Sequence, residues 1–296
     1  MRQLPLPLPQ SPEFARTCDA LGLPIRKMQS EVGGNVQLIW QVQSRKLGFL
    51  GRVDMISRGP VARDPGDLAG WLERFQNWQD GRPLLLNADG LVPQALRAAG
   101  FWPLMTPASL ALLPLTTGPE MRAALHQKWR NRLNRAEGAG LRVTRHALSA
   151  DHWLLEAEAK QARTKRYRSL PPAFSLAFAR ANPGKAQLWE VRQWGEPLAA
   201  VLMLRHGRMA TWQMGHVTTA GRKLNAMNLA LFTAMTALAD QGHETLDLGT
   251  INTQDSAGIA RFKLGTGALT HRLGGSWLHY GALAPIARRL PARLAA

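Results

Sequence analysis

The 296-residue chain has one cysteine, two tyrosines and only 20 acidic residues to set against 37 basic ones. A lone Cys18 forms no internal disulfide and no cysteine metal cluster, which fits a reducing compartment, so a cytoplasmic location is expected. Long apolar runs are missing too. Without some 18 uncharged apolar residues in a row no transmembrane helix is expected. The prolines of MRQLPLPLPQ interrupt the helical core that a signal peptide needs, and a tail or edge segment is expected there. The eight histidines show no H-E-x-x-H or H-x-H spacing, which argues against a zinc hydrolase and against any bound metal. No G-x-S-x-G elbow, no G-x-x-x-x-G-K-[ST] loop and no helix-opening G-x-G-x-x-G is present, so serine hydrolases, phosphate-loop enzymes and nicotinamide or flavin enzymes are set aside.

What is present is a folded composition, 45% apolar, carrying a formal charge of +17. Arginine supplies most of it, with 29 Arg to 8 Lys. One reading is the amino-acid bias of a GC-rich genome. The other is a field that attracts polyanions, anionic lipid heads or phosphorylated substrates through planar, bidentate contacts. The charge is unevenly spread: residues 122–168 hold twelve basic and four acidic side chains.

Periodicity outlines a mixed α/β (α+β) chain. Strands are expected at 36–43, 51–57, 84–87 and 110–115, with a helix at 66–79 whose Leu68, Trp71, Leu72, Phe75 and Trp78 recur every three or four residues. From Pro119 a single helix is expected to run to about Gly138 or Gly140 on the stripe Met121, Leu125, Trp129 and Leu133, with Lys128, Arg132 and Arg135 on another face. A strand at 141–147, a helix at 151–163 and a short helix after Pro171-Pro172 follow. Three strands at 187–194, 198–205 and 208–215 are joined by loops short enough to force antiparallel hairpins. A helix on Leu224, Met227, Leu231, Met235 and Leu238 and a buried strand LDLG at 246–249 complete the pattern. No short-period repeat is visible.

Three segments carry a resemblance. KWRNRLNRAEGAGLRV at 128–143 is similar to the Arg-Asn-rich helix and Ala-Glu-x-Gly turn that open the second domain of the FemABX-type aminoacyltransferases. ISRGPV at 56–61 resembles the Arg-Gly-Pro of that family's first domain, and LDLGTINTQDSAGIARFKLGTGA at 246–268 resembles its Asp-x-Gly strand and Phe-Lys-x-Gly-x-Gly element. The meander, helix and strand also match the centre of the GNAT acyltransferase fold. The resemblance implies two tandem GNAT-like domains, expected at 1–117 and 118–296, the second catalytic, and transfer of an amino acid from aminoacyl-tRNA to an amine. It departs from the family in lacking the long charged helical hairpin of the peptidoglycan-bridge enzymes, which bears on the acceptor more than on the reaction.

The candidate site follows from the resemblance and the residue types. Lys263 matches the family lysine beside the transferred acyl group, where an ammonium stabilises an oxyanion; the alternative is a solvated loop lysine. Asp247 orients an amine or acts as a base, or else bonds neighbouring backbone. Phe262 is a wedge fixing the Lys263 segment, and Trp212 either lines an acyl groove or joins the core. Arg130, Arg132 and Arg135 form a phosphate-binding face or the wet side of a helix. Arg163, Arg166 and Tyr167 fall where the family places an Arg and a Tyr near the acceptor. Asn225 lies in the turn TTAGRKLNAMN (218–228), which lacks the glycines with which coenzyme A-dependent enzymes bind pyrophosphate. Aminoacyl-tRNA is therefore favoured over acyl-CoA or an acyl carrier protein as co-substrate, with no permanently bound cofactor. The acceptor is a small-molecule, peptide or lipid-linked amine. A membrane-surface role for the basic C-terminus, and a non-catalytic nucleic-acid-binding module, are the alternatives.

Overall fold

The computed structural model describes residues 4–46, 48, 51–165, 170–254 and 256–289. They form two compact units, one of Met1–Ser109 with Arg272–Ala296 and one of Leu110–His271.

Residues 8–11, in the stretch expected to be a tail or edge segment, are packed instead of forming a free tail. A 3-10 turn at Leu8–Gln10 leads into α1 (Pro12–Ala20), where Ser11 Oγ accepts from Phe14 N at 3.1 Å and Pro12 needs no amide partner. Gln10 is buried: its amide donates to Ser57 O and accepts from Gln41 N, so the turn is held by hydrogen bonds instead of being left to solvent. Strands β1 (Ile25–Val32), β2 (Asn35–Lys46) and β3 (Arg52–Ser57) make an antiparallel meander. Gly33 and Gly34, both at positive φ, form the tight β1–β2 turn. The short β4 (Val61–Ala62) pairs with β2. Then α2 (Asp67–Trp78) lays Leu68, Trp71, Leu72 and Phe75 against Leu38, Trp40 and Leu86, and β5 (Leu84–Ala88) joins parallel to β3. Helix α3 (Pro93–Ala98) and β6 (Phe101–Met105) close this stretch.

The second unit begins with β7 (Ser109–Pro114) and α4 (Gly118–Ala124), the latter opened by a reciprocal Thr117–Glu120 capping box. The single helix expected from 119 to 138 is broken. Leu125 and His126 take extended ψ, His126 N donates to Gly265 O at 3.0 Å, and α5 (Gln127–Glu137) starts afresh. The apolar stripe survives the break, since Met121, Leu125, Trp129 and Leu133 are all buried. Next come β8 (Arg142–Ala147), α6 (Trp153–Lys165), α7 (Pro172–Ala181) and the meander β9 (Ala186–Gln193), β10 (Glu196–His206) and β11 (Met209–Val217). Short α8 (Thr219–Lys223), long α9 (Ala226–Asp240), β12 (Thr245–Ile251), α10 (Ala257–Leu264) and β13 (Leu269–Arg272) complete it.

The chain then returns to the first unit. Strand β14 (Gly275–His279) inserts between β5 and β6, burying Trp277, and α11 (Ala284–Ala287) follows. The expected boundary at 117/118 thus lies at 109/110 in the structure, and the C-terminal segment leaves the second unit because its strand completes the first sheet.

The sheet orders are β1-β2-β3-β5-β14-β6 and β8-β9-β10-β11-β12-β7-β13. Each contains an antiparallel meander, a helix, and a strand parallel to the last meander strand. Each also has a strand from outside this run placed before its last one. No helix among the described residues is long and apolar enough to cross a membrane.

Candidate active site

The two parallel pairs differ. In the first unit β3 is paired with β5 through its last residue, Ser57 against Asn87, and Arg58 N then donates to Asn87 O at 2.9 Å. In the second unit only Met209, Ala210 and Thr211 pair with Thr245, Leu246 and Asp247, while β11 continues to Val217 and β12 to Ile251. The strands part after Asp247. A bulge between Leu202 and Met203 in the β10–β11 register occurs at the same level and turns β11 aside. The strand pair therefore splays, and the cleft this opens lies where the sequence places its catalytic candidates.

Asp247, 3% exposed, is the last paired residue of β12. Its Oδ1 accepts from Gly249 N at 2.7 Å, and Gly249 at φ +80 turns the chain as glycine readily does. Lys263 reaches back from the last turn of α10, a helix where glycine-rich turns were expected, and its Nζ donates to Thr250 O at 2.8 Å. Burial pushes the Lys263 ammonium below the ordinary lysine range, with the Asp247 charge opposing the shift. Thr250 O occupies one of three ammonium donors, leaving capacity for a substrate oxygen.

An aromatic seat fixes this helix. Phe262 packs against Trp129 of α5 and Trp212 of β11, with ring centroids 5.7 and 6.1 Å away, and Trp129 Nε1 donates to Phe262 O at 3.2 Å. Trp212 in turn donates to Met214 O at 2.9 Å. A β-carbon at Gly265 would stand 2.7 Å from the Trp129 ring, and one at Gly267, at φ +90, 3.0 Å from Ala124 O. The glycines of FKLGTG therefore serve close packing against α4 and α5. Trp129 and Thr250 were missed by sequence reasoning. Trp129 read only as one more member of an apolar stripe, and a backbone acceptor such as Thr250 O leaves no residue-type signal.

Asn225 is left-handed, φ +55, between α8 and α9, and its side chain makes no cap hydrogen bond. Gly221 packs on the Leu198 carbonyl and gives its amide to Thr218 Oγ1 at 3.0 Å, so the turn's one glycine is occupied structurally. Nearby Asn228 is buried with Nδ2 lacking a partner among the described residues, a third position not singled out by the sequence.

The basic candidates do not converge. Arg130 donates to Leu125 O at 3.1 Å and satisfies the end of α4. Arg132 and Arg135 are exposed on α5. Arg163 is exposed on α6, its Nε donating to Ala159 O at 3.3 Å. Arg166 and Tyr167 lie outside the described residues. Cys18 is buried in α1, and burial pushes its thiol up to about 11, which leaves little thiolate for nucleophilic chemistry at neutral pH. Among the described residues no group of His, Cys, Asp and Glu could hold a metal.

Residues 122–268 match the family model of the acetyltransferase (GNAT) domain. No curated protein matches the chain in sequence. The fold is similar to the crystal structure of FemX at TM-score 0.74 and 15% identity, covering 95% of this chain and 96% of that one. It is also similar to the C-terminal domain of a putative lysylphosphatidylglycerol synthetase from Agrobacterium fabrum, with TM-score 0.57, 16% identity and 95% and 91% coverage. The L-PGS structure from Bacillus licheniformis aligns at TM-score 0.53 and 13% identity, over 100% and 98% of the chains. At these identities the structural likenesses establish the fold, a tandem arrangement of two GNAT-like units. The separated β11–β12 pair lies inside the segment that matches the acetyltransferase (GNAT) domain.

Proposed function

We propose that this chain transfers an aminoacyl group from aminoacyl-tRNA to an amine, in the cleft between β11 and β12 and without a covalent enzyme intermediate. The observation that carries the reading is Lys263, whose half-buried ammonium is tethered to Thr250 O beside Asp247 where the strands part. An ammonium fixed there meets the negative charge that develops on the carbonyl oxygen as the amine attacks. The C–N bond forms, the ester C–O bond breaks, and the amine proton ends on the departing ribose oxygen. Holding the reactants together supplies much of the acceleration, so few side chains are needed.

The donor assignment draws on the α8–α9 turn, where Gly221 is committed to packing and Asn225 replaces the glycine-rich approach that a pyrophosphate favours. The kinship in fold with FemX and with lysylphosphatidylglycerol synthetases agrees with aminoacyl transfer to a peptide, small-molecule or lipid-linked amine. Asp247 is assigned to orient the incoming amine. Trp212 and Phe262 wall the groove, with Asn225 at its donor end. Arg132, Arg135 and Arg163 are the exposed cations offered to phosphate, and Arg130 is shared between that face and the end of α4. Arg166 and Tyr167 keep the acceptor role that the resemblance implies.

Single-turnover assays with labelled aminoacyl-tRNA and with acyl-CoA, each against a panel of primary amines, test the reading. Transfer from the charged tRNA is expected. Transfer from acyl-CoA alone assigns the other donor, and binding of tRNA without transfer to any amine makes the chain a binding module.

A further inference from the structure

The β9–β10 hairpin turns on Trp194 and Gly195, at φ +48 and +87. Asn-Gly is the usual pair for this two-residue turn, because both positions require the left-handed region. A tryptophan there holds its β-carbon in a disfavoured conformation, yet its ring is 93% exposed and adds almost no buried area in return. Folding alone gives no reason for the residue.

Its surroundings supply one. Arg192 Nη1 donates to Gly195 O at 2.7 Å and pins the turn, while Gln193 Nε2 donates to Ala139 O at 2.9 Å and ties it to the turn that follows α5. That turn continues from the helix carrying exposed Arg132 and Arg135 into Arg142, which is exposed and paired with Arg192. On the other side, β10 starts beside α8, since Thr218 N donates to Leu198 O at 2.9 Å, and α8 carries exposed Arg222 and Lys223. The indole thus stands at the end of the sheet toward which the β11–β12 cleft opens, a rim that carries these cations together with the exposed Glu196. Its flanks are polar or charged, so there is no apolar patch of the kind that inserts into lipid. One planar ring among cations suits a different partner: an unpaired nucleotide, whose base stacks on the ring while its phosphates meet the arginines.

We propose that Trp194 and this rim dock a single-stranded nucleotide of the tRNA donor, which rests on the donor assignment above. Stacking does not release counterions. Loss of the ring therefore weakens binding without altering its salt dependence, whereas loss of an arginine alters both.

The test uses the full chain, bulk deacylated tRNA and a salt series, with Trp194→Asn and Trp194→Phe. Asn suits the left-handed turn, so that variant folds at least as stably as the native protein. It is expected to bind tRNA at least about fivefold more weakly with the same salt slope, while Trp194→Phe keeps most of the affinity. Equal binding by Trp194→Asn, or equal loss in both variants, overturns the stacking role. Unchanged tRNA binding with lost adsorption to phosphatidylglycerol–phosphatidylcholine vesicles overturns it in favour of a membrane contact. If the native protein binds no tRNA, the donor assignment falls with it; if native and Trp194→Asn proteins bind tRNA alike, only this inference falls.

Discussion

Lys263, the proposed oxyanion donor, is held at a cost to the fold. Its ammonium is partly desolvated, and only Thr250 O and the field of Asp247 compensate. Because burial lowers its pKa, the unfolded chain binds the proton more tightly, and stability rises as pH climbs from the folded value toward that of an ordinary lysine. Transfer runs the other way, since only the charged form stabilises an oxyanion. The rate should therefore fall on the alkaline side at a lower pH than an exposed lysine titrates, in a pH–rate profile of the single-turnover step. Lys263→Met should lose this alkaline gain in stability and, by thermal denaturation at neutral pH, be at least as stable as the native protein while nearly inactive. Lys263 was singled out because the Phe-Lys-x-Gly-x-Gly resemblance marked it. Its helical setting was not legible, because glycines on both sides read as turns, although two of them serve close packing against Trp129 and Ala124.

At the scale of elements, helix starts and breaks decide what the charged residues do. Arg130 lies where α4 ends and takes its carbonyls, so Arg130→Gln should cost about 1 kcal/mol of stability by denaturant unfolding. Arg132→Gln and Arg135→Gln should leave stability unchanged and together reduce the salt slope of tRNA binding by up to about two units. An unaltered slope would make α5 a solvated helix only. The start of α6 depends on Glu190, 3% exposed on β9, which accepts from Trp153 Nε1 at 2.5 Å and from Arg192 Nε at 2.8 Å and faces His152 Nε2 at 3.7 Å. The Glu190 carboxyl is lowered despite its burial, because the Arg192 and Trp153 hydrogen bonds outweigh desolvation. His152 is lowered by burial, so its protonation below the ordinary histidine range destabilises the fold, and loss of the Glu190 charge below the ordinary carboxylate range adds to this. Glu190→Gln should cost about 2 kcal/mol and flatten the acid limb of the stability–pH curve. The helix break at Leu125 was invisible in the sequence, since an i, i+4 stripe reports burial and not continuity. The hydrogen bond from His126 to Gly265, 139 positions away, is what the local pattern could not contain.

At the scale of the molecule, the structure holds a repeat that the sequence conceals. Both units have a meander, a helix and a parallel strand, and in each sheet a strand from elsewhere in the chain is placed before the last one. Periodicity found the elements of the second unit well because its meander strands are long and joined by short glycine-containing turns. It missed β14 and with it the true division of the chain, because sequence order says nothing of a strand that returns to an earlier sheet. What separates the units chemically is a pairing difference: β3 and β5 stay zipped to Ser57 and Asn87, while β11 and β12 part after Asp247. That contrast is why acyl transfer is proposed for the second unit. It also fits direct attack, because the lone thiol, Cys18, is buried with its pKa raised. Donor-only incubation should accordingly leave the protein mass unchanged, and a stable acyl adduct on Cys18 or a serine would contradict direct transfer.

The most direct measurement is the single-turnover rate of aminoacyl transfer by native protein and by Lys263→Ala, with donor affinity measured in parallel. The account requires the chemical step to fall by about two to three orders of magnitude with donor affinity nearly intact, as for a contact strongest in the transition state. Native rates from Lys263→Ala would contradict it.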